Sequence, residues 1–313
     1  MMRYKILNAE SKGYSAKARA ILGKAARVDY FDRLSGVEIR KKIAGYDGLI
    51  VRLNNYIGKD ILKNAKSLLF IASATTGLDH IDTAYAGSRS IEVLSLGGET
   101  EFLKSIYATA EYTFALILAL TRKIPFAHMD AAKGRWDRYK FIGSELNGKT
   151  LGIIGYGRVG KLVAGYARRF GMKVVAHDID TGNLNKLLKV SDIVSVHLPL
   201  NKKTEGMMTA GLFRKMARRP YFINTSRGQI VNERALLSAL ESGRIKGAAI
   251  DVVREERSRN TGSSPLIKYA GTHDNLIITP HIAGASFESM EKTEVFIAQK
   301  IVKYLKDREY GKA

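Results

Sequence analysis

Residues 150–178, TLGIIGYGRVGKLVAGYARRFGMKVVAHD, decide the fold. The apolar run at 151–154 predicts a buried strand, and three glycines follow at Gly155, Gly157 and Gly160. A helical pattern then carries the chain to about Phe170, and a second apolar run at 174–177 ends at Asp178, 23 residues after Gly155. Each position has a physical reason. Gly155 permits a tight turn, Gly157 lets a pyrophosphate reach the backbone, and Gly160 lets helix and strand pack closely. The turn also contains Tyr156, Arg158 and Val159, and the N–H groups at the helix start face the phosphates. Asp178 accepts hydrogen bonds from ribose hydroxyls and repels a 2′-phosphate, so the stretch predicts a dinucleotide site favouring NAD over NADP. The competing reading is a glycine turn that only packs helix on sheet, with Asp178 a surface cap.

Outward from this stretch the chain repeats the same strand–helix form. Downstream, strands are predicted at 193–197, 221–224, 248–252 and 276–279; upstream they fall at 4–7, 48–52, 68–72 and 91–94, with helices at 16–23, 59–64 and 81–86. The pattern breaks near Gly97-Gly98. One long helix over 107–123, stopped by Pro125, then bridges to the second series. Val295, Ile297, Ile301, Val302 and Leu305 make 288–306 an amphipathic helix that packs back on the first module. The class is α/β, with doubly wound parallel sheets.

Composition narrows the function. With 313 residues, 45% hydrophobic and 26% charged, the chain has the balance of a folded protein of about two domains. It has no cysteine, which excludes disulfides, thiolate metal sites and cysteine nucleophiles. The apolar stretch at 114–120 is far short of the ~20 residues of a membrane helix, and the N-terminus lacks the apolar run of a signal peptide, so a cytoplasmic protein is expected. The 51 Lys and Arg exceed the 30 Asp and Glu by 21. They occur in pairs, such as Arg168-Arg169 and Arg218-Arg219, without a run of five, which favours a basic solvated surface over a nucleic-acid patch.

In a doubly wound sheet ligands lie beyond the carboxyl ends of the strands, so residues there are the candidates for chemistry. Arg227, in Thr225-Ser226-Arg227-Gly228, has a planar fork that holds a carboxylate bidentately and a fixed charge that polarises a keto oxygen. Glu255 and Glu256 follow another strand, and His281 follows the last. A carboxylate beside an imidazole favours the imidazolium, which can donate a proton to a developing alkoxide. A solvent-facing arginine, exposed glutamates and a packed loop histidine are the alternatives.

Taken in order, these residues resemble the D-isomer-specific 2-hydroxyacid dehydrogenase family, which includes phosphoglycerate, glyoxylate/hydroxypyruvate and D-lactate dehydrogenases. The matching stretches are TGLDHID at 76–82, Ala110-Glu111, the glycine motif, SDIVSVHLPL at 191–200, NTSRG at 224–228, GAAIDV at 247–252 and TPHIAG at 279–284. The resemblance implies two Rossmann-like domains. The first is discontinuous, flavodoxin-like and substrate-binding, over 1–100 plus 285–313; the second binds NAD over 101–284. It implies that Arg227 anchors the substrate, that Glu256 rather than Glu255 orients the histidine, and that His281 is the acid/base. His197, Pro199, Thr225 and Asp251 are implied at the cofactor, with Asp251 at the carboxamide. Thr76, the Gly77 backbone and Arg52 are implied at the substrate. It further implies a 2-keto or 2-hydroxy acid as substrate, a homodimer with Trp136 in its arm, and no metal, membrane or nucleic-acid partner. The alternative is an NAD(H)-sensing corepressor-type binding protein of the same fold. A C-terminal regulatory domain, which some phosphoglycerate dehydrogenases carry, is not expected from a chain of 313 residues. Two departures bear on the site: Arg257 and Val253 stand where the family usually has Pro and an aromatic, and 97–105 replaces its short Asn-containing stretch.

Overall fold

Among the described residues eleven strands form two sheets in which every neighbouring pair is parallel. The computed structural model describes residues 4–179, 181–257 and 261–310. The chain separates into two units, Met1–Ile106 with Ser286–Ala313, and Tyr107–Ala285.

The first unit holds β1 (Lys5–Asn8), β2 (Arg27–Tyr30), β3 (Gly48–Val51), β4 (Phe70–Ser73) and β5 (Glu92–Leu94), in the order β2-β1-β3-β4-β5. This is the flavodoxin-like order. β3 and β4 are buried at every position because helices cover both faces, which is why they read as unbroken apolar runs. β2, with the sequence RVDY, is an edge strand with only Val28 and Tyr30 apolar and escaped the hydrophobic pattern. So did the helix Gly36–Lys42, although Ser35 and Glu38 form a complete capping box at its start. The C-terminal helix Phe287–Tyr310 lies against the helix Ala16–Leu22, β4 and β5. Burying its Ile297, Ile301 and Leu305 stabilises the unit by roughly 1.5–3 kcal/mol each.

In this sheet the chain itself occupies the crevice where strand order reverses. Beyond the carboxyl ends of β1 and β3, the buried Glu10 carboxylate accepts hydrogen bonds from the Arg52 and Asn54 backbone N–H groups (3.0 and 3.2 Å) and from the Asn54 and Asn55 side-chain amides (3.1 and 2.9 Å).

The second unit holds β6 (Thr150–Ile154), β7 (Lys173–His177), β8 (Ile193–Val196), β9 (Tyr221–Asn224), β10 (Gly247–Ile250) and β11 (Leu276–Ile278), in the order β11-β10-β9-β8-β6-β7. Strand order reverses between β6 and β8, the dinucleotide crevice of a Rossmann sheet. β8, β10 and β11 end one or two residues earlier than the apolar runs suggest, leaving His197, Asp251 and Thr279 in the loops beyond them.

The chain crosses between units at 106/107 and 285/286 rather than at 100/101 and 284/285. The helix Thr100–Leu103 stays with the first unit because Leu103 joins its core and Phe102 stacks on Phe296, ring centroids 4.1 Å apart. Thr100–Thr121 is apolar enough on average to span a membrane, yet it forms two helices, Thr100–Leu103 and Ala108–Thr121. The second packs against β9, β10 and the helix Arg158–Arg169. Pro125 opens a further helix, Ile124–Ala131, instead of only ending the previous one. Lys123, at φ 54°, breaks the chain direction, and proline suits a first helical turn where no N–H is needed.

Candidate active site

The glycine turn is built as its sequence requires. Gly155 has φ +94°, and a Cβ there would lie 2.6 Å from the His197 carbonyl oxygen; a Cβ at Gly160 would lie 2.2 Å from the Gly155 oxygen. Gly157 faces open space and starts the helix Arg158–Arg169, whose N-terminus no side chain caps. The backbone N–H groups at a helix start point outward, toward where an anion would lie. The Tyr156 N–H donates to Asp178 Oδ2 and the Ile179 N–H to Oδ1, both at 2.8 Å, so the carboxylate sits at the end of β7 against the glycine turn. Each oxygen keeps acceptor capacity for a ribose hydroxyl.

Val159 packs half-buried on the core, and desolvation draws the Arg158 guanidinium below its usual range. His197 lies within hydrogen-bonding reach of Ser195 Oγ at 2.9 Å, and burial pulls its imidazole down to about 4, neutral at pH 7. Pro199 is exposed, its carbonyl accepting from Thr204 at 2.6 Å. An uncapped helix start, a side-chain-free glycine face and a carboxylate at the end of β7 fit a dinucleotide such as NAD.

Beyond β9, Asn224 Oδ1 accepts from the Ser226 N–H and hydroxyl at 3.0 and 2.6 Å, while its Nδ2 donates to the Arg227 carbonyl at 3.0 Å. Thr113 gives its hydroxyl proton to the Thr109 carbonyl (2.7 Å), which leaves it to accept from Thr225, also at 2.7 Å. Arg227 is half-buried, with Nη1 donating to the Ser226 carbonyl at 2.8 Å. A Cβ on Gly228 would lie 2.2 Å from the Val253 carbonyl carbon, so the arginine loop lies directly on the loop after β10.

That second loop is tied down by the Arg254 N–H, which donates to Glu233 at 2.6 Å, and it carries Glu256. Glu256 Oε1 lies 2.9 Å from His281 Nδ1, the two side chains only 16% and 19% exposed, whereas Glu255 is exposed. His281 has φ 54° and is held by its neighbours: its N–H donates to the Asp251 carbonyl at 2.8 Å. The fully buried Asp251 carboxylate accepts from Thr279 Oγ1 (2.6 Å), the Ile282 N–H (3.0 Å) and the Ala283 N–H (2.7 Å). Burial holds this carboxyl above the usual carboxylate range, against those three donors and nearby His281. Asp251 therefore clamps the histidine loop, and its Oδ2, which accepts only from the Ala283 N–H, keeps acceptor capacity for a further donor such as a carboxamide. Nothing in its sequence pattern signals this.

In the first unit, Thr76 and Gly77 lie in the loop after β4, where the Thr75 hydroxyl donates to the Gly77 carbonyl at 2.9 Å. Arg52 is not free for an anion. Nη1 donates to the Lys12 carbonyl at 2.8 Å, and Nη2 pairs with Glu294, whose other oxygen accepts from the Ser15 N–H at 2.7 Å. Glu294 lies 242 residues away in sequence, which is why a strand-end arginine looked available. The atypical 97–105 segment is fastened to one face of the C-terminal helix. Lys292 donates to the Ser105 carbonyl at 3.2 Å, Phe296 stacks on Phe102, and Lys300 donates to the Ser95 carbonyl at 3.0 Å and to Glu99 at 2.5 Å.

A Rossmann sheet with a glycine cradle, and an imidazole–carboxylate pair beyond its carboxyl edge, define a dinucleotide-dependent α/β protein. Residues 114–283 match the model of the D-isomer specific 2-hydroxyacid dehydrogenase NAD binding domain. The chain is 36% identical over 286 residues to the D-3-phosphoglycerate dehydrogenase of Archaeoglobus fulgidus, covering 87% of this chain and 52% of that protein. Identity to the glyoxylate reductase of Thermofilum pendens is 35% over 286 residues, covering 86% of this chain and 81% of the relative. Among solved structures, D-lactate dehydrogenase from Aquifex aeolicus, complexed with NAD and lactic acid, superposes with a TM-score of 0.81 at 27% identity, over 98% of this chain and 96% of that one. The TT0316 protein of Thermus thermophilus superposes with a TM-score of 0.84 at 31% identity, over 97% of each chain. The chain belongs to the D-isomer-specific 2-hydroxyacid dehydrogenase family, and its second unit is the NAD-binding domain. It spans about half the length of the phosphoglycerate dehydrogenases it matches.

Proposed function

We propose that this protein is an NAD-dependent oxidoreductase that interconverts a 2-keto acid and its D-2-hydroxy acid. The observation that carries the reading is the half-buried His281–Glu256 pair, 2.9 Å apart, whose Glu256 lies on the loop against which the Arg227 turn is packed. Residues 155–160 and Asp178 would hold the dinucleotide, with His197, Pro199 and Thr225 beside it. When bound, that group supplies hydride transfer, so that 2-keto acid, NADH and one proton become 2-hydroxy acid and NAD+. Arg227 binds the substrate carboxylate with its fork and draws charge toward the keto oxygen. His281 Nε2 delivers the proton to that oxygen in reduction and takes it back in oxidation, while Glu256 fixes Nδ1 and the ring plane. Asp251 contributes by holding the His281 backbone in its left-handed turn.

A homodimer built on the second unit accords with a run of exposed apolar residues: Trp136, Tyr139 and Ile142 are 88%, 74% and 69% exposed, and Ile124 and Met129 lie nearby in sequence. Such a patch is normally covered by a partner.

The test is NADH oxidation with glyoxylate, hydroxypyruvate, pyruvate and 3-phosphohydroxypyruvate, with NAD+ reduction by the corresponding D-hydroxy acids in parallel. Turnover of at least one pair supports the reading. No turnover of any, with NADH bound tightly, favours a dinucleotide-sensing protein instead.

A further inference from the structure

The Glu256 carboxylate faces two basic side chains, not one. Oε1 lies 2.9 Å from His281 Nδ1 and 3.9 Å from Arg257 Nη2, and the Arg257 side chain is only 19% exposed. Oε2 is buried and has no hydrogen-bond partner among the described residues. Both contacts are thus made at one oxygen, Oε1, which the imidazole and the guanidinium share. A guanidinium stays charged across the working pH range, so its attraction to the carboxylate is permanent, while that of the imidazole depends on its proton.

We infer that Arg257 is a counter-charge to Glu256 that loosens the carboxylate's hold on the His281 imidazolium, and so sets the pH range over which the pair gives or takes a proton. Glu256 favours the protonated ring. Arg257 opposes this twice, by neutralising part of the carboxylate's field and by placing a second positive charge near the ring. Other charged groups around the pair in this unit have their own anchors or lie outward. The Asp251 carboxylate is held by Thr279, Ile282 and Ala283; Arg254 by Glu205, with its N–H on Glu233; Arg227 lies in the loop against Val253; and Glu255 is exposed. Reduction of a keto acid needs the imidazolium and oxidation of the hydroxy acid needs the neutral ring. Arg257, acting as a positioning residue through Glu256, therefore extends oxidation to lower pH and cuts reduction off earlier on the alkaline side.

The inference rests on the reading of His281 and Glu256 as the proton-handling pair, and the experiment separates the two. Protein labelled at histidine carbons is titrated by NMR as wild type, R257Q, R257M and R257K, with H281Q assigning the His281 signal. The His281 midpoint should rise by roughly 0.5–1 pH unit in R257Q and R257M and stay within about 0.2 of wild type in R257K. A midpoint that is unmoved or falls in both neutral variants overturns the inference. The alkaline limb of kcat/KM for NADH-dependent glyoxylate and hydroxypyruvate reduction should move upward by the same amount. If the NMR midpoint moves and that limb does not, the Arg257–Glu256 coupling stands and His281 is not the rate-limiting proton donor.

Discussion

Replacing Asp251 with Asn tests whether the buried carboxylate clamps the histidine loop. The carboxylate accepts from three donors, two at Oδ1 (Thr279 Oγ1 and the Ile282 N–H) and one at Oδ2 (the Ala283 N–H). An amide has only one acceptor oxygen. In either orientation its NH2 faces a backbone N–H, of Ala283 or of Ile282, leaving that donor buried and unpaired at a cost of about 1–3 kcal/mol. For a unit of about 180 residues this lowers the melting temperature by roughly 2–12 °C.

The pH dependence has a definite sign. Burial raises the native Asp251 carboxyl above its unfolded value. Its stabilising contribution is therefore fully present below the unfolded value of about 3.9 and is lost as pH rises through the native one. Asparagine does not titrate, so the wild type's advantage over Asp251→Asn should be wider near pH 4.5 than near pH 7.5. Differential scanning calorimetry of both proteins at the two pH values measures this, and keto-acid turnover should fall along with stability. A melting difference below about 1 °C at both pH values, or one that widens toward neutrality, would refute the clamp.

His281→Gln should reduce turnover by roughly 10²–10⁴-fold while NADH affinity, read by fluorescence titration, changes little; undiminished turnover removes it as the acid. Gly228→Ala forces a methyl to within 2.2 Å of the Val253 backbone, so one of the two loops must move. Turnover should drop at least tenfold with the dinucleotide site intact, and a fully active variant shows that loop contact to be dispensable. Asp178→Ser removes the charge that repels a 2′-phosphate, so the ratio of kcat/KM for NADH over NADPH should narrow; a constant ratio means that Asp178 does not meet the ribose.

Local rules made most of the cofactor sheet legible. Strands buried on both faces are predominantly apolar, the turn after β6 demands glycine at Gly155 for its positive φ and at Gly160 for its close approach to the Gly155 oxygen, and Asp178 follows at a distance set by one strand–helix–strand unit. The same rules failed where the hydrophobic signal was weak, as at β2, an edge strand half of whose residues are charged, and at 36–42, where a capping box marked the helix instead. Arg227, the pair Glu255 and Glu256, and His281 could be nominated because the carboxyl ends of parallel strands gather on one edge, and the family resemblance then singled out Glu256.

Which of those side chains meet, and which are otherwise engaged, was decided by contacts between residues distant in sequence. Glu256 rather than Glu255 reaches His281 because the loop after β10 is pinned by Glu233 and by the glycine at 228. Arg52 is taken by Glu294, and Asp251 is turned into the histidine loop. Residue type and spacing state what a side chain is able to bond. A buried charge is satisfied by whichever partner the fold delivers within about 3 Å, and that partner is known only once the chain has closed on itself.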